Sequence, residues 1–369
     1  MAPIRVLQIM PAMDAGGMET FVMNVYRAID RELVQFDFLY HYDKPCLYDY
    51  EIRALGGQIT KLTIRQDNNL PRYLGQLNAF FAEHPEYRII HGHYSGFGMF
   101  YNAAARRRGV PVRVGHSHNT AYEPNMVGRL DKLMSSRFDK DLTDRFACSR
   151  KAGQMLFGKS PFTVLPNGVD TEVFANPAPG SRAKLREHLG VTDGEVLLGH
   201  VGRFSAQKNH AGLLRIFAAL LPKMPNARLL LLGGGALEGE TRALAKELGV
   251  ADRVIFAGVR TNVQAFYAAM DAFLLPSLFE GLPVVLVEAQ ASGLPCFVSD
   301  TVDEGAAFAS NVFFLPLDRP ELWAETIAGA RLKRNPKARQ NAVAAGFDIH
   351  TSARILQDFY LHRWQEVQG

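Results

Sequence analysis

AFLLPSLFEGLPVVLVEAQASGLPCFVS, residues 272–299, reads as a strand, a loop, a helix and a second strand. The apolar run AFLL stops at Pro276, a loop carries Glu280 and Gly281, helix-forming residues fill Val284 to Ala291, and a turn at Ser292-Gly293 leads into CFVS. That is a βαβ unit, and the same rhythm extends upstream through VLLGHVG, a helix at His210–Leu221, RLLLLGG, a helix at Glu238–Leu248, RVIFAG and a helix at Val263–Met270. It is also present in the first half of the chain: IRVLQIM, METFVMNVYRAI with helical spacing, FDFLY, helices from Asp49 and near Leu70–Glu83, RIIHGH, a helix at Gly98–Arg108, VRVGH, FACS and TVLPNG. A proline- and glycine-bearing stretch, NPAPGS at 176–181, is the natural linker. The expectation is an α/β protein of two tandem Rossmann-like domains facing each other across a cleft, residues 1–175 and 182–350. The terminal segment containing ARILQDFYLHRW, about 351–369, is expected to cross back onto the first domain. Loops at the carboxyl edge of parallel sheets are where such folds bind ligands, so the polar residues after each strand are the ones to weigh.

A chain of 369 residues is too long for one core of ordinary size. With 47% hydrophobic and 21% charged residues it has the composition of a soluble globular protein. No apolar run reaches a membrane-spanning length, and MAPIRVLQIM reads as a buried strand rather than a secretory signal, so a cytoplasmic location is expected, with at most a peripheral position at the inner face of a membrane. Cys46, Cys148 and Cys296 are too few and too scattered for a disulfide framework or a cysteine metal site. The net charge of +4 divides evenly, +3 over residues 1–180 (21 basic, 18 acidic) and +1 over the rest, which argues against a nucleic-acid partner. Arg106-Arg107-Arg108 reads as the solvated end of a helix.

In the opening stretch Glu280 and Glu288 are separated by seven residues, one in the loop and one on the helix. This pattern resembles the signature of retaining glycosyltransferases of family 4, which have the GT-B architecture. The resemblance implies that Glu280 holds the transferred sugar, that Glu288 grips the ribose, and that the helix start near Gly281 and Leu282 offers backbone N–H groups to a diphosphate. HVGRFSAQKNHAGLLRIF at 200–217 is similar to the family's Gly-Arg–loop–Lys–helix element. Arg203 and Lys208 there are placed to neutralise two phosphates and to stabilise charge on a departing nucleoside diphosphate, which would do the work of a metal.

LPNGVDTEVF at 165–174 resembles the family's segment at the end of the first domain and is taken as structural, while RVIFAGVRTNVQAFYAAMDAFLLPS at 253–277 resembles the stretch that cradles the nucleobase near Gly258 and Arg260. Gly233-Gly234-Gly235 with Glu238 falls one glycine short of a dinucleotide fingerprint, so a nicotinamide cofactor is not expected. In the first domain Gly16-Gly17, with Glu19, follows the first strand and allows close approach of backbone to phosphate or acceptor. His91 and His93, and His116 and His118, pair at strand spacing; a zinc site from the four is disfavoured, and the resemblance implies a histidine of the acceptor site, His116 or His118, a choice the sequence leaves open. Asp139-Lys140-Asp141 lies in a polar, helical stretch rather than at a strand end, so a solvated face is preferred to a metal site. Met126–Phe138 is amphipathic and basic; packing on the sheet is preferred to peripheral membrane contact.

Together these imply a metal-independent, cofactor-free retaining glycosyltransferase, a hexosyl- or N-acetylhexosaminyltransferase. Its donor would be a nucleotide sugar, taken as UDP-linked, and its acceptor a polysaccharide or lipid-linked glycan. A non-hydrolysing sugar-nucleotide epimerase and a catalytically idle sugar-nucleotide-binding protein are the rival readings.

Overall fold

The computed structural model describes residues 2–14, 16–64, 69–93, 96–119, 126–135 and 137–368. The chain forms two compact units, Met1–Gly168 with Ile349–Gly369, and Val169–Asp348. The first holds strands β1 (Ile4–Met10), β2 (Val34–Tyr40), β3 (Ile59–Lys61), β4 (Ile89–Gly92), β5 (Val112–Ser117), β6 (Asp144–Ala147) and β7 (Thr163–Val164). The second holds β8 (Val196–Val201), β9 (Ala227–Leu232), β10 (Val254–Gly258), β11 (Ala272–Leu275), β12 (Cys296–Ser299) and β13 (Val312–Leu315). Pairing is parallel throughout, in the orders β3-β2-β1-β4-β5-β6-β7 and β10-β9-β8-β11-β12-β13. Both are Rossmann-like sheets, and in each the order reverses direction beside the unit's first strand: between β1 and β4, and between β8 and β11.

Every residue of β2 is buried, including Asp37. Its carboxylate is tolerated because Arg5 meets it with two hydrogen bonds of 2.5 and 2.6 Å, while the Tyr87 hydroxyl and the Gln58 backbone N–H complete its shell at 3.0 and 2.7 Å. The core of the first unit joins Phe21, Val25 and Tyr26 of the helix Gly17–Ala28 to Leu356 and Tyr360 of the terminal helix Ile349–Gln368. Gln357 accepts from the backbone N–H of Asp30 at 2.9 Å and Arg88 donates to the carbonyl of Val367, so the end of the chain is built into this unit. In the second unit Leu213 and Phe217 of the helix His210–Leu220 pack with Trp323 and Ile327 of the helix Pro320–Gly329 over Leu229 and Leu231.

The division falls at Gly168, ahead of the 176–181 stretch expected to link the domains. The cause is long-range bonding: Val169 N–H donates to Phe347 O at 2.9 Å and Thr171 Oγ1 to Asp348 Oδ1 at 2.7 Å, which ties residues 169–171 to the end of the second unit. NPAPGS is then a turn between the short helices Thr171–Ala175 and Ser181–His188. The helix Met126–Ser135 also departs from expectation. Among its described side chains Gly128 and Ser135 are buried and Met134 half-buried, whereas Met126, Leu130 and Leu133 are 75, 56 and 69% exposed, so these three do not pack on the sheet. Among the described residues no helix is long and apolar enough to cross a membrane.

Candidate functional site

At the switch point of the second sheet, the loops leaving β8 and β11 are held together by side chains from both. Lys208 Nζ donates to Glu280 Oε1 at 2.5 Å, with the side chains only 15 and 6% exposed. Gln207 Nε2 reaches Phe279 O at 3.1 Å and Glu280 Oε2 at 3.3 Å, and its carbonyl accepts from Leu278 N–H at 2.8 Å. Asn209 sits at φ 51, a left-handed conformation that asparagine tolerates; its Oδ1 caps the following helix at Gly212 N–H, and its Nδ2 donates to Pro276 O at 3.1 Å. That turn delivers Lys208 to the second loop, while Arg203 stands exposed in the same β8 loop.

Beside this pair, three loops close on one another through backbone alone. Phe204 N–H donates to Gly234 O and Gly233 N–H to Gly258 O, each at 3.0 Å. A Cβ on Gly233, at φ 142, would lie 1.9 Å from Gly202 O, and one on Gly235, at φ 154, would lie 2.5 Å from Phe204 O. Only glycine permits that approach, so the run that nearly spells a dinucleotide fingerprint serves loop packing here. Gly258 ends β10 at φ 69, and Arg260 is exposed two residues on. Behind the β8 loop His210 stacks on Phe204 with centroids 4.1 Å apart, and burial pulls its pKa down to about 4.

The helix Val284–Ala291 begins with Pro283 as its N-cap and has no side-chain cap, with Gly281 and Leu282 leading into it. Glu288, on its inner side, is 5% exposed and accepts from the Tyr267 hydroxyl at 2.8 Å. Burial pushes its carboxyl up to about 7, against the opposing pull of Tyr267.

In the first unit, Gly16 caps the helix Gly17–Ala28 at the β1 switch point. Glu19 folds back so closely that a Cβ on Gly16 would lie 2.3 Å from its Oε2. The neighbouring strands β4 and β5 bring the four histidines into one stack. Centroids are 4.4 Å apart for His91 and His93, 5.3 Å for His91 and His116, and 4.2 Å for His116 and His118. His91, His93 and His116 hold ligand-type atoms within 4.8 Å of one another. A metal, however, must lie near the plane of each imidazole it binds; His91 is stacked on both other rings at only 15 to 18°, with 32° between those two, so the three planes share no nearby point. The cluster as it stands is a stack of neutral rings, with burial lowering every member's pKa, to about 3 for His91 and His118.

Asp139 pairs with Arg145 and Ser160, and Asp141 with Arg106 at 2.9 Å, so the Asp-x-Asp stretch and the first of the three arginines are mutual structural partners, and Arg106 is not simply solvated. Sequence reading did not single out Gln207 or Tyr267. Gln207 adjoins Lys208 and was within reach of inference; Tyr267 lies 21 residues from Glu288 and meets it only through the fold.

The profile of glycosyl transferases group 1 matches residues 181–347, and that of glycosyltransferase family 4 matches residues 15–173. EpsF of Bacillus subtilis (strain 168), which carries a glycosyltransferase name, is 39% identical over 372 residues, 96% of either chain. The UDP-Gal:alpha-D-GlcNAc-diphosphoundecaprenol alpha-1,3-galactosyltransferase of Escherichia coli is 29% identical over 293 residues, 75% of this chain and 76% of that one. Among solved structures, Anabaena Alr3699/HepE in complex with UDP and glucose superposes with a TM-score of 0.80 at 19% identity, covering 97% of this chain and 99% of its own. WaaG, a glycosyltransferase involved in lipopolysaccharide biosynthesis, does so at 0.74 and 17%, covering 96 and 99%. Two Rossmann-like units of the GT-B kind, profile matches over both, and a relative 39% identical along nearly its whole length lead to one conclusion: the chain belongs to glycosyltransferase family 4.

Proposed function

We propose that this glycosyltransferase moves a hexosyl or N-acetylhexosaminyl group from a UDP-linked donor to a lipid-linked or polysaccharide acceptor, with retention of configuration and without a metal ion. The observation that carries the reading is the Lys208–Glu280 pair at the switch point of the second sheet, with Arg203 in the same loop. Lys208 and Arg203 neutralise the diphosphate as it departs, and fixed cations at that position stabilise the developing charge more than the ground state. Glu280 holds the sugar and Glu288 the ribose. The backbone at Gly281 and Leu282 meets phosphate, Gly258 and Arg260 flank the nucleobase, and Gly16-Gly17 with His116 or His118 serve the first unit's side of the reaction.

The lipid-linked acceptor draws support from the Escherichia coli relative, whose name specifies a diphosphoundecaprenol substrate, and UDP from the HepE complex. Met126, Leu130 and Leu133, exposed on one helix with Arg129 and Lys132, supply a row suited to an anionic lipid surface. The test is proton NMR of the first-formed linkage from an α-linked UDP sugar. Retention gives an α-linked product, and a β-linked initial product refutes it.

A further inference from the structure

The helix Val284–Ala291 carries the carbonyl of Val285 and the side chain of Glu288 on one face, since residues three apart on a helix are neighbours. A single phenol meets both. The hydroxyl of Tyr267, from the helix Val263–Ala269, lies 2.8 Å from Glu288 Oε2 and 3.1 Å from Val285 O. Two acceptors thus face one proton, and an ionised carboxylate takes it in preference to a peptide carbonyl because hydrogen bonds to charged groups are the stronger. Among the described residues this hydroxyl is the one hydrogen-bond donor to the Glu288 carboxylate, so Oε2 is engaged within the protein and Oε1 is not.

The phenol is held on several sides. Tyr267 is fully buried, and its ring meets those of Phe174 and Phe273 with centroids 5.6 and 5.7 Å away. Burial pushes the hydroxyl well above its ordinary titration range, so it keeps its proton and remains a donor. Arg334 clasps the carboxyl ends of the two helices: Nη2 donates to Tyr267 O at 2.8 Å and to Met270 O at 2.9 Å, and Nη1 to Ser292 O, just past the helix of Glu288. Packing of the ring would be served as well by phenylalanine. What the hydroxyl adds is a fixed direction for one carboxylate oxygen, together with a pull on the Glu288 carboxyl toward its ionised form.

We propose that Tyr267 is a positioning residue of the donor site: its hydroxyl pins Glu288 Oε2 and thereby turns Oε1 to the paired hydroxyls of the donor's ribose. The ribose as the ligand of Glu288 rests on the glycosyltransferase reading above; the bond between Tyr267 and Glu288 does not. A nucleotide without those two hydroxyls has no use for the carboxylate, so its binding is indifferent to the phenol.

The experiment measures, by titration calorimetry on the intact chain, the affinities for UDP and for 2′,3′-dideoxy-UDP at about pH 8, above the value of about 7 to which burial pushes the Glu288 carboxyl. Wild type is expected to bind UDP the more tightly. In Tyr267→Phe, which keeps the ring and loses the hydroxyl, that preference is expected to shrink roughly fivefold, the ratio one ordinary hydrogen bond commands, with affinity for the dideoxy nucleotide unchanged. A packing defect would weaken both nucleotides alike. Tyr267→Met takes its place if the Phe variant does not fold. Glu288→Leu separates the two readings and should abolish the preference. If it keeps the wild-type preference, or if wild type shows none, the ribose reading of Glu288 fails and the proposal with it. If Glu288→Leu abolishes the preference while Tyr267→Phe retains it in full, or binds both nucleotides equally more weakly, the ribose reading stands and the role of Tyr267 is overturned.

Discussion

Replacing Lys208 by Met removes one partner of an ion pair whose other member, Glu280, has a side chain only 6% exposed. Stripping one partner from a buried pair typically costs about 3–5 kcal/mol, because the remaining charge stays desolvated. Two features reduce that here. Lys208 keeps 15% of its side-chain exposure, so water can approach, and Gln207 Nε2 stays 3.3 Å from Glu280 Oε2. An expected loss of about 2–3 kcal/mol follows, at or just below the lower limit of that range. For a unit the size of Val169–Asp348 that lowers Tm by about 4–12 °C, measured by calorimetry or by fluorescence-detected melting. Adding Glu280→Gln to Lys208→Met removes the stranded charge and should restore most of that loss. In the proposed mechanism the ammonium meets the departing diphosphate, so turnover should fall about 100-fold in Lys208→Met alone, the effect typical of one lost transition-state donor. The reasoning fails if the double variant melts as low as Lys208→Met, because Glu280 would then not be the group left uncompensated. It fails equally if Lys208→Met keeps wild-type turnover.

With Arg203 in its proposed role at the diphosphate, Arg203→Ala should lower turnover by about 100-fold with little change in Tm, since the side chain is exposed; activity within threefold of wild type would remove it from the site. If the proposed mechanism holds, with Lys208 and Arg203 meeting the diphosphate, turnover should survive incubation with EDTA; complete loss reversed by magnesium or manganese would overturn the metal-free mechanism. Glu288 should impose a pH dependence on stability. Its folded pKa, about 7, lies above the ordinary 4.5, so between those values the folded state binds a proton that the unfolded state does not. Glu288 therefore contributes a fall in stability of roughly 3 kcal/mol between about pH 4.5 and 7, opposed in the same range by the rise that the buried histidines, held below their ordinary pKa, impose. Urea denaturation of wild type and Glu288→Gln side by side cancels the histidines: the stability of the wild type relative to the variant should drop by about that amount across the range, and a constant difference would mean that Glu288 is not the titrating group.

The alternation of apolar strands with helices made both sheets legible, because a parallel strand and its crossover helix are each written in consecutive residues. The end of the first unit was harder to read. NPAPGS has the composition of a linker, yet the chain changes allegiance at Val169, where bonds to Phe347 and Asp348, nearly 180 residues away, decide the matter. The same limit applied to the site. Lys208 and Glu280 could be picked out as charged residues in strand-end loops, but that they form a 2.5 Å pair depends on β8 and β11 being neighbours, a property of strand order rather than of either segment. Helical periodicity marked Met126–Phe138 as amphipathic without showing which side would be covered, and Gly128, the smallest residue there, proved to lie inward. The four histidines were visible as two pairs at strand spacing. That they stack required the register of β4 and β5.

The closing of the first unit by the helix Ile349–Gln368 means that its core contains residues separated by the whole of the second unit. A ribosome delivers the chain from one end, so Val169–Asp348 is complete and free to fold while the first unit still lacks Leu356 and Tyr360. The earlier-synthesised segment is therefore the later one to acquire its finished core, and until then the face of the helix Gly17–Ala28 that receives the terminal helix is open to water and to other chains. The nascent chain thus carries a complete Val169–Asp348 insert behind an unfinished first unit until residues 349–368 are added.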